Sequence, residues 1–187
     1  RGLMQELLTG RRRFPEFGKT AGVRYTPVGE FPQDWEVLPL SAVAQEVTRR
    51  NEEGIDLVLT CSGEHGLIDQ REFFSKLVAS EYREGYFLLR KGEFAYNRSS
   101  MKGYPFGAIK RLDRYDAGAL STLNICFAVN ETIWDSDFAV HFFESGLLNR
   151  QLGRITRVGS RAHGLLNVNK SDFFSLRVPV PRHEEQR

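Results

Sequence analysis

The chain has 187 residues, 41% of them apolar and 12% aromatic, which is long enough to bury a core and too apolar for a disordered segment. Its 26 lysines and arginines against 24 aspartates and glutamates leave a net charge of +2, too small to name a partner. No apolar run reaches the ~20 residues of a membrane span, and no secretory signal opens the chain. Cys61 and Cys126 sit in apolar runs and read as buried free thiols of a cytoplasmic protein, with a disulfide as the alternative. The missing initiator Met fits a fragment, or the ordered core of a longer chain.

Leu3, Met4, Leu7 and Leu8 recur at helical spacing before Thr9-Gly10, predicting the last two turns of an amphipathic helix. Residues 11–36 lack periodicity and are interrupted by Pro15, Pro27 and Pro32, so they read as a linker leading to Trp35. Ser41 is placed to cap a short helix over 41–46, and Asn51-Glu52-Glu53-Gly54 reads as a turn before a strand over 55–61. Ser62 to Gly66 form a loop with two glycines, followed by a helix over 70–80. Strands are expected over 86–90, 93–96, 108–112 and 123–129, separated by Gly-containing turns. Ser136 is expected to cap a helix over 137–144, continued over 147–152 after Gly146. A Gly-, Arg- and Asn-rich stretch, 153–170, leads to a last strand over 173–178. Pro179 and Pro181 then precede what reads as a first helical turn, 182–187. The fold class is mixed α/β: one globular domain of short strands and a few helices, flanked by two helix stubs.

Charge is distributed in blocks of alternating sign. The net charge is +4 over residues 1–29, −7 over 30–89, +5 over 90–115, −5 over 116–148 and +5 over 149–170. Such blocks build one basic face if the positive segments meet, or a solvated surface if they pair with the negative ones.

Catalytic motifs are missing. There is no glycine-rich dinucleotide cradle or phosphate loop, and no Pro-Pro pair of the kind that base-flipping methyltransferases use. Glu and Lys pairs lack the strand context of a nuclease site. His65, His141, His163 and His183 are too dispersed to form a zinc site with Cys61. Neither Ser62 nor Ser160 sits in a nucleophile elbow. Two basic segments remain, 97–111 and 154–170, in which Arg and Lys alternate with hydroxyls, amides and glycines. Arg suits guanine or phosphate, Asn suits adenine, and glycine lets backbone approach phosphate. The candidate DNA contacts are Ser62, His65, Arg98, Ser99, Lys102, Tyr104 and Lys110 from the first loops. From the last they are Arg157, Ser160, Arg161, His163 and Asn167. Composition alone leaves an ordinary surface with basic loops slightly ahead, and a module gripping an acidic protein also stays open.

The opening Gly2-Leu3-Met4-Gln5-Glu6-Leu7-Leu8-Thr9-Gly10 resembles the end of the central conserved helix of type I restriction-modification specificity subunits (HsdS), where Gly-Leu-Met-Gln-Gln-Leu-Leu-Thr-Gly is usual. Val58 to Phe74, Lys91-Gly92-Glu93-Phe94-Ala95-Tyr96-Asn97, Gly107-Ala108-Ile109 and Gly118 to Val129 are similar to successive parts of a target-recognition domain in that family. Leu176 to Pro181 with Glu184-Glu185-Gln186-Arg187 resembles the passage into the distal conserved helix. Arg1 and Glu6 stand where Lys and Gln are commoner.

This resemblance implies residues 1–14 as a helix end, 15–34 as linker, 35–178 as the DNA target-recognition domain and 179–187 as the start of the next helix. It implies a non-catalytic chain reading one half of a split duplex target, with Leu3, Met4, Leu7 and Leu8 packing on a partner helix. The expected partners are methyltransferase (HsdM) and motor-nuclease (HsdR) subunits. S-adenosylmethionine, ATP and Mg are expected on those subunits, with no cofactor or metal on this chain. The alternative within the same chemistry is the recognition part of a fused restriction-methylation enzyme.

Overall fold

The computed structural model describes residues 2–18, 22–26, 28–73, 85–156 and 164–187. In chain order these begin with α1 (Gly2–Leu8), β1 (Val23–Thr26), β2 (Gly29–Pro32), β3 (Glu36–Pro39), α2 (Leu40–Val43) and β4 (Ala44–Glu46). Next come β5 (Leu59–Ser62), β6 (Gly66–Asp69), α3 (Gln70–Phe73), β7 (Phe87–Arg90), β8 (Phe94–Asn97) and β9 (Ala108–Arg111). The chain ends with β10 (Ala117–Leu120), β11 (Ile125–Val129), α4 (Ser136–Glu144), α5 (Asn149–Ile155), α6 (Lys170–Phe174) and β12 (Arg177–Val180). Single 3-10 turns occur at Pro15–Phe17 and His183–Glu185. The fold is mixed α/β, with four two-stranded sheets and one four-stranded sheet, ordered β4-β11-β8-β9, among the described residues.

These residues gather into two compact units: Arg1–Ala44 with Val129–Ile155 and Asn169–Arg187, and Gln45–Ala128 with Thr156–Val168. The first unit closes around aromatic side chains. Phe31 stacks on Trp35 at 6.1 Å between ring centroids, Trp35 meets Phe138 edge-on at 6.4 Å, and Trp134 meets Phe142 at 5.9 Å. Phe138, Ala139, Phe142 and Phe143 turn one face of α4 inward, the i, i+4 spacing of a half-buried helix. Asp135, not Ser136, caps this helix; its carboxylate accepts from the Asp137 and Phe138 amides, and a negative charge there also suits the helix dipole.

Several elements depart from the sequence pattern. Within the unperiodic stretch 15–34, β1 and β2 form an antiparallel hairpin. Val23, Arg24 and Tyr25 are all exposed, so no apolar alternation betrays it. The expected strand over 173–178 is displaced: Phe173 is buried in α6, capped by Asn169, and the strand is β12, paired with β3 through Pro179↔Val37. Over 41–46 the helix gives way after Val43 to β4. Of the helix expected over 70–80, Gln70–Phe73 is α3 and the rest lies outside the described residues.

The second unit holds the candidate site. Val47, Leu59, Cys61, Leu67, Leu89, Ala95, Leu112, Leu120 and Cys126 share one buried cluster with Phe87. Both cysteines are buried and unbridged. The β5–β6 hairpin lies against the four-stranded sheet, with the Cys61 sulfur 3.9 Å from the Ala95 and Ala108 carbonyl oxygens. β10 escapes a propensity reading because it is built of Ala, Gly and Leu. Gly118 is needed there, since a Cβ would stand 2.6 Å from the Leu59 side chain.

Candidate nucleic-acid interface

β8 ends at Asn97, and the segments 62–66, 98–107, 121–124 and 164–168 meet around that end. The Asn97 side-chain amide donates to the Cys61 carbonyl at 2.8 Å, which brings the end of β5 and the loop 62–66 alongside. Ser62 is buried, and its hydroxyl accepts from the His65 amide at 3.2 Å, so it shapes the loop from within. His65 is exposed, its ring 6.4 Å from that of Phe73.

Residues 98–107 form a preformed ribbon rather than a slack loop. Met101 and Tyr104 exchange two backbone hydrogen bonds of 3.1 and 2.9 Å, placing Lys102 and Gly103 at an exposed two-residue tip. Gly103 has φ 82°, a conformation that side chains resist. At the ribbon's base, the Tyr96 hydroxyl donates to the Phe106 carbonyl at 2.7 Å; burial pushes the phenol pKa up and keeps that proton in place. Gly107, φ 87°, admits no side chain, because a Cβ would stand 2.3 Å from the Asn97 carbonyl oxygen. Tyr104 is half-buried, and Lys110 on β9 donates to its hydroxyl at 2.9 Å with the ammonium 4.5 Å from the ring centre.

Arg98 is spent on the protein itself. Its guanidinium donates to the Leu123 carbonyl at 2.8 Å and the Val168 carbonyl at 2.9 Å. Around it, Leu166 donates to the Arg98 carbonyl at 2.7 Å, Ser100 donates to the Gly164 carbonyl at 2.9 Å, and Ser99, half-buried, bridges to Leu165. Residues 98–100 are thus paired with 164–166, within the second basic segment. Arg157, Ser160, Arg161 and His163 lie outside the described residues. Asn167 is exposed beside that pairing.

An open cleft of about 600 Å³ adjoins His65 and is lined by Leu67, Phe73, Arg111 and Arg114. Its arginines are neutralised locally. Arg111 meets Asp113 at 2.6 Å, and Arg114 meets Glu72 at 2.7 Å, a hydrogen bond that raises the Arg114 pKa. Unpaired cations must therefore be sought on the loops. Of the four in 98–111, Arg98 is bound to carbonyls, Lys110 to Tyr104 and Arg111 to Asp113, while Lys102 has no partner among the described residues. Sequence reasoning passed over Gly63 and Met101, which support Tyr104; the only hint was a glycine pair flanking Glu64-His65.

The helix-packing candidates sit in the first unit. Leu3 and Met4 are exposed and Leu7 is half-buried, whereas Leu8 is 3% exposed and belongs to that unit's core. Among the described residues, no group of three or more His, Cys, Asp or Glu is gathered to hold a metal. No described helix is long and apolar enough to cross a membrane.

No family model and no curated protein matches the chain in sequence. Solved structures match it in fold. A chain from structural work on complex assembly and conformational transition of the type I R-M system superposes with a TM-score of 0.57 at 15% identity. That match covers 82% of this chain and 40% of the other. The HsdS subunit from Thermoanaerobacter tengcongensis superposes with a TM-score of 0.54 at 15% identity over 99% of this chain and 40% of that subunit. The chain therefore has the fold of part of an HsdS subunit, and spans about 40% of the length of the structures it matches.

Proposed function

We propose that this chain is a DNA target-recognition domain of a type I specificity subunit, reading one half of a split duplex target without catalysing a reaction itself. The observation that carries the reading is the fold likeness to an HsdS subunit over 99% of the chain. The order of helix end, loops and second helix entry in the sequence supports it independently.

In this reading, positioning and specification are separate tasks. The exposed groups Lys102, His65 and Asn167, with Arg157, Ser160, Arg161 and His163 of the second basic segment, face the duplex. Ser62, Ser99, Tyr104 and Lys110 hold the loops that present them. Leu3, Met4 and Leu7 pack on a neighbouring helix of the intact subunit. HsdM subunits carrying S-adenosylmethionine supply methylation, and HsdR with ATP and Mg supplies translocation and cleavage; this chain directs them to the site. The setting is the cytoplasm, where the chromosome lies.

Methylome sequencing of cells with and without the intact gene tests this. A split adenine-methylated motif that disappears with the gene is the expected result. An unchanged methylome in cells shown to express the gene together with its methyltransferase subunit overturns the reading. A steep fall of duplex binding with salt is expected as well, whereas tight, salt-insensitive capture of an acidic protein would favour an interaction module.

A further inference from the structure

We infer that the Lys102-Gly103 tip of the 98–107 ribbon is a base-reading probe that enters the major groove, and that Gly63 is the spacer that sets its position. This rests on the DNA-recognition reading above and assigns, within it, which described residue specifies sequence.

Three observations converge on the tip. The first is shape. A two-stranded ribbon is one of the two protein elements that the major groove admits; the β8–β9 hairpin is one, and its connection 98–107 is closed at the tip by reciprocal hydrogen bonds between Met101 and Tyr104. Its tip residues Lys102 and Gly103 are exposed, with Gly103 in a left-handed conformation that keeps the turn tight and without a side chain to obstruct approach.

The second is rigidity. A side chain that discriminates bases must be held in register, or it will settle on the nearest phosphate. The ribbon is fixed at its base by Tyr96 on the Phe106 carbonyl and by the tight passage at Gly107. Its middle is fixed by Lys110 on Tyr104. Its flank is fixed by Gly63: a Cβ there would stand 2.6 Å from the Tyr104 ring and 2.9 Å from the Met101 sulfur. The backbone of loop 62–66 is therefore the wall on which Tyr104 and Met101 rest, and glycine is the residue that permits that depth.

The third is charge. Lys102 is the one cation of 98–111 with no partner among the described residues. A lysine ammonium placed over a base edge donates to the acceptor pair of guanine, O6 and N7. The class of ligand is therefore a G·C base pair within the half-target.

The test selects bound sequences from a library of randomised duplexes, using the intact protein with wild-type, Lys102→Ala, Lys102→Arg and Gly63→Ala chains. Wild type should show a guanine at one position of the half-site. Lys102→Ala should relax that position by about tenfold and leave the others unchanged, and Lys102→Arg should keep the preference. Gly63→Ala should shift or blur preference at that same position while Lys102 is still present, with circular dichroism showing a folded chain. If Gly63→Ala unfolds, Tyr104→Leu removes the same support from the other side and should blur the same position.

Lys102→Ala that weakens all sequences equally, with the salt slope falling by about 1, would make Lys102 a phosphate contact and overturn the proposal. So would a preference unaffected by either substitution. A wild-type protein that selects no sequence sinks the recognition reading as well, which separates the two failures.

Discussion

The two units spend their polar side chains differently. In the first, Arg13 donates to Glu185 at 2.6 and 2.7 Å and to Asp34 at 2.9 and 3.2 Å, while the Trp35 indole donates to the same Glu185 at 3.1 Å. The Gln186 side chain accepts from the Asp135 amide and donates to the Ile133 and Pro181 carbonyls; Gln151 bridges both ways to Arg177. These groups join stretches far apart in the chain. In the second unit, Asn97 and Arg98 also staple backbone segments, yet what they hold up is a set of exposed loop groups. The difference separates a unit whose polar chemistry closes it from one whose polar chemistry presents something.

Glu185→Ala tests that contrast most severely. The Arg13 and Glu185 side chains are both 5% exposed, and the hydrogen bond to Glu185 is the main reason that the Arg13 pKa is raised. Removing the carboxylate leaves a buried guanidinium with Asp34 alone and an indole N–H with nothing. The expected cost is about 3 kcal/mol, read as a lower urea midpoint. The contrast breaks if the loss is below about 0.5 kcal/mol, the range of an ordinary surface substitution.

Arg98→Ala is the next largest and sharpens the division within the second unit. Two hydrogen bonds from a guanidinium to carbonyls, partly open to solvent, are worth about 1–2 kcal/mol. Stability should fall by that amount, and DNA sequence preference should blur because 121–124, 164–168 and the ribbon lose their common anchor. The salt slope should stay the same, since no phosphate contact is lost. A slope reduced by about 1 with unchanged melting would instead return Arg98 to the phosphate-binding set.

Arg98 also shows where sequence reading stops. Its place beside Ser99 in a basic loop pointed to DNA, but the carbonyls that bind it belong to Leu123 and Val168, 25 and 70 residues away. No local pattern encodes that. The strands β7, β8, β9 and β11 were legible because each begins on two or more apolar residues and is bounded by turns. The β1–β2 hairpin and β10 were not, the first because β1 has no buried face to set an apolar alternation and the other because it lacks strand formers. Likewise Asp135 and Ser136 are equally good caps by type, and only the first accepts the amides of Asp137 and Phe138. Of the site, the converging ribbon and loop 62–66 were legible as Gly-punctuated loops; their mutual support through Gly63 and Tyr104 is a matter of packing depth, which spacing does not carry.

The smallest expected effect concerns Asp69, whose carboxylate receives three side-chain bonds and a backbone amide bond from Arg71. The side-chain hydrogen bond from Arg71 is the chief cause of a pKa held below the usual carboxylate value, against an opposing effect of burial. A group whose folded pKa is depressed contributes stability above its unfolded value, near 4, and loses that contribution as pH falls through the folded one. Arg71 is 65% exposed, so solvent screening keeps the contribution small. Asp69→Asn preserves the acceptor for the Arg71 amide and removes only the charge. The variant should melt slightly below wild type at pH 7, and the gap should close at a pH well below 4. A gap that persists undiminished there would mean that Asp69 acts through shape, and that this ion pair at the foot of α3 contributes nothing to holding the loop face of the second unit.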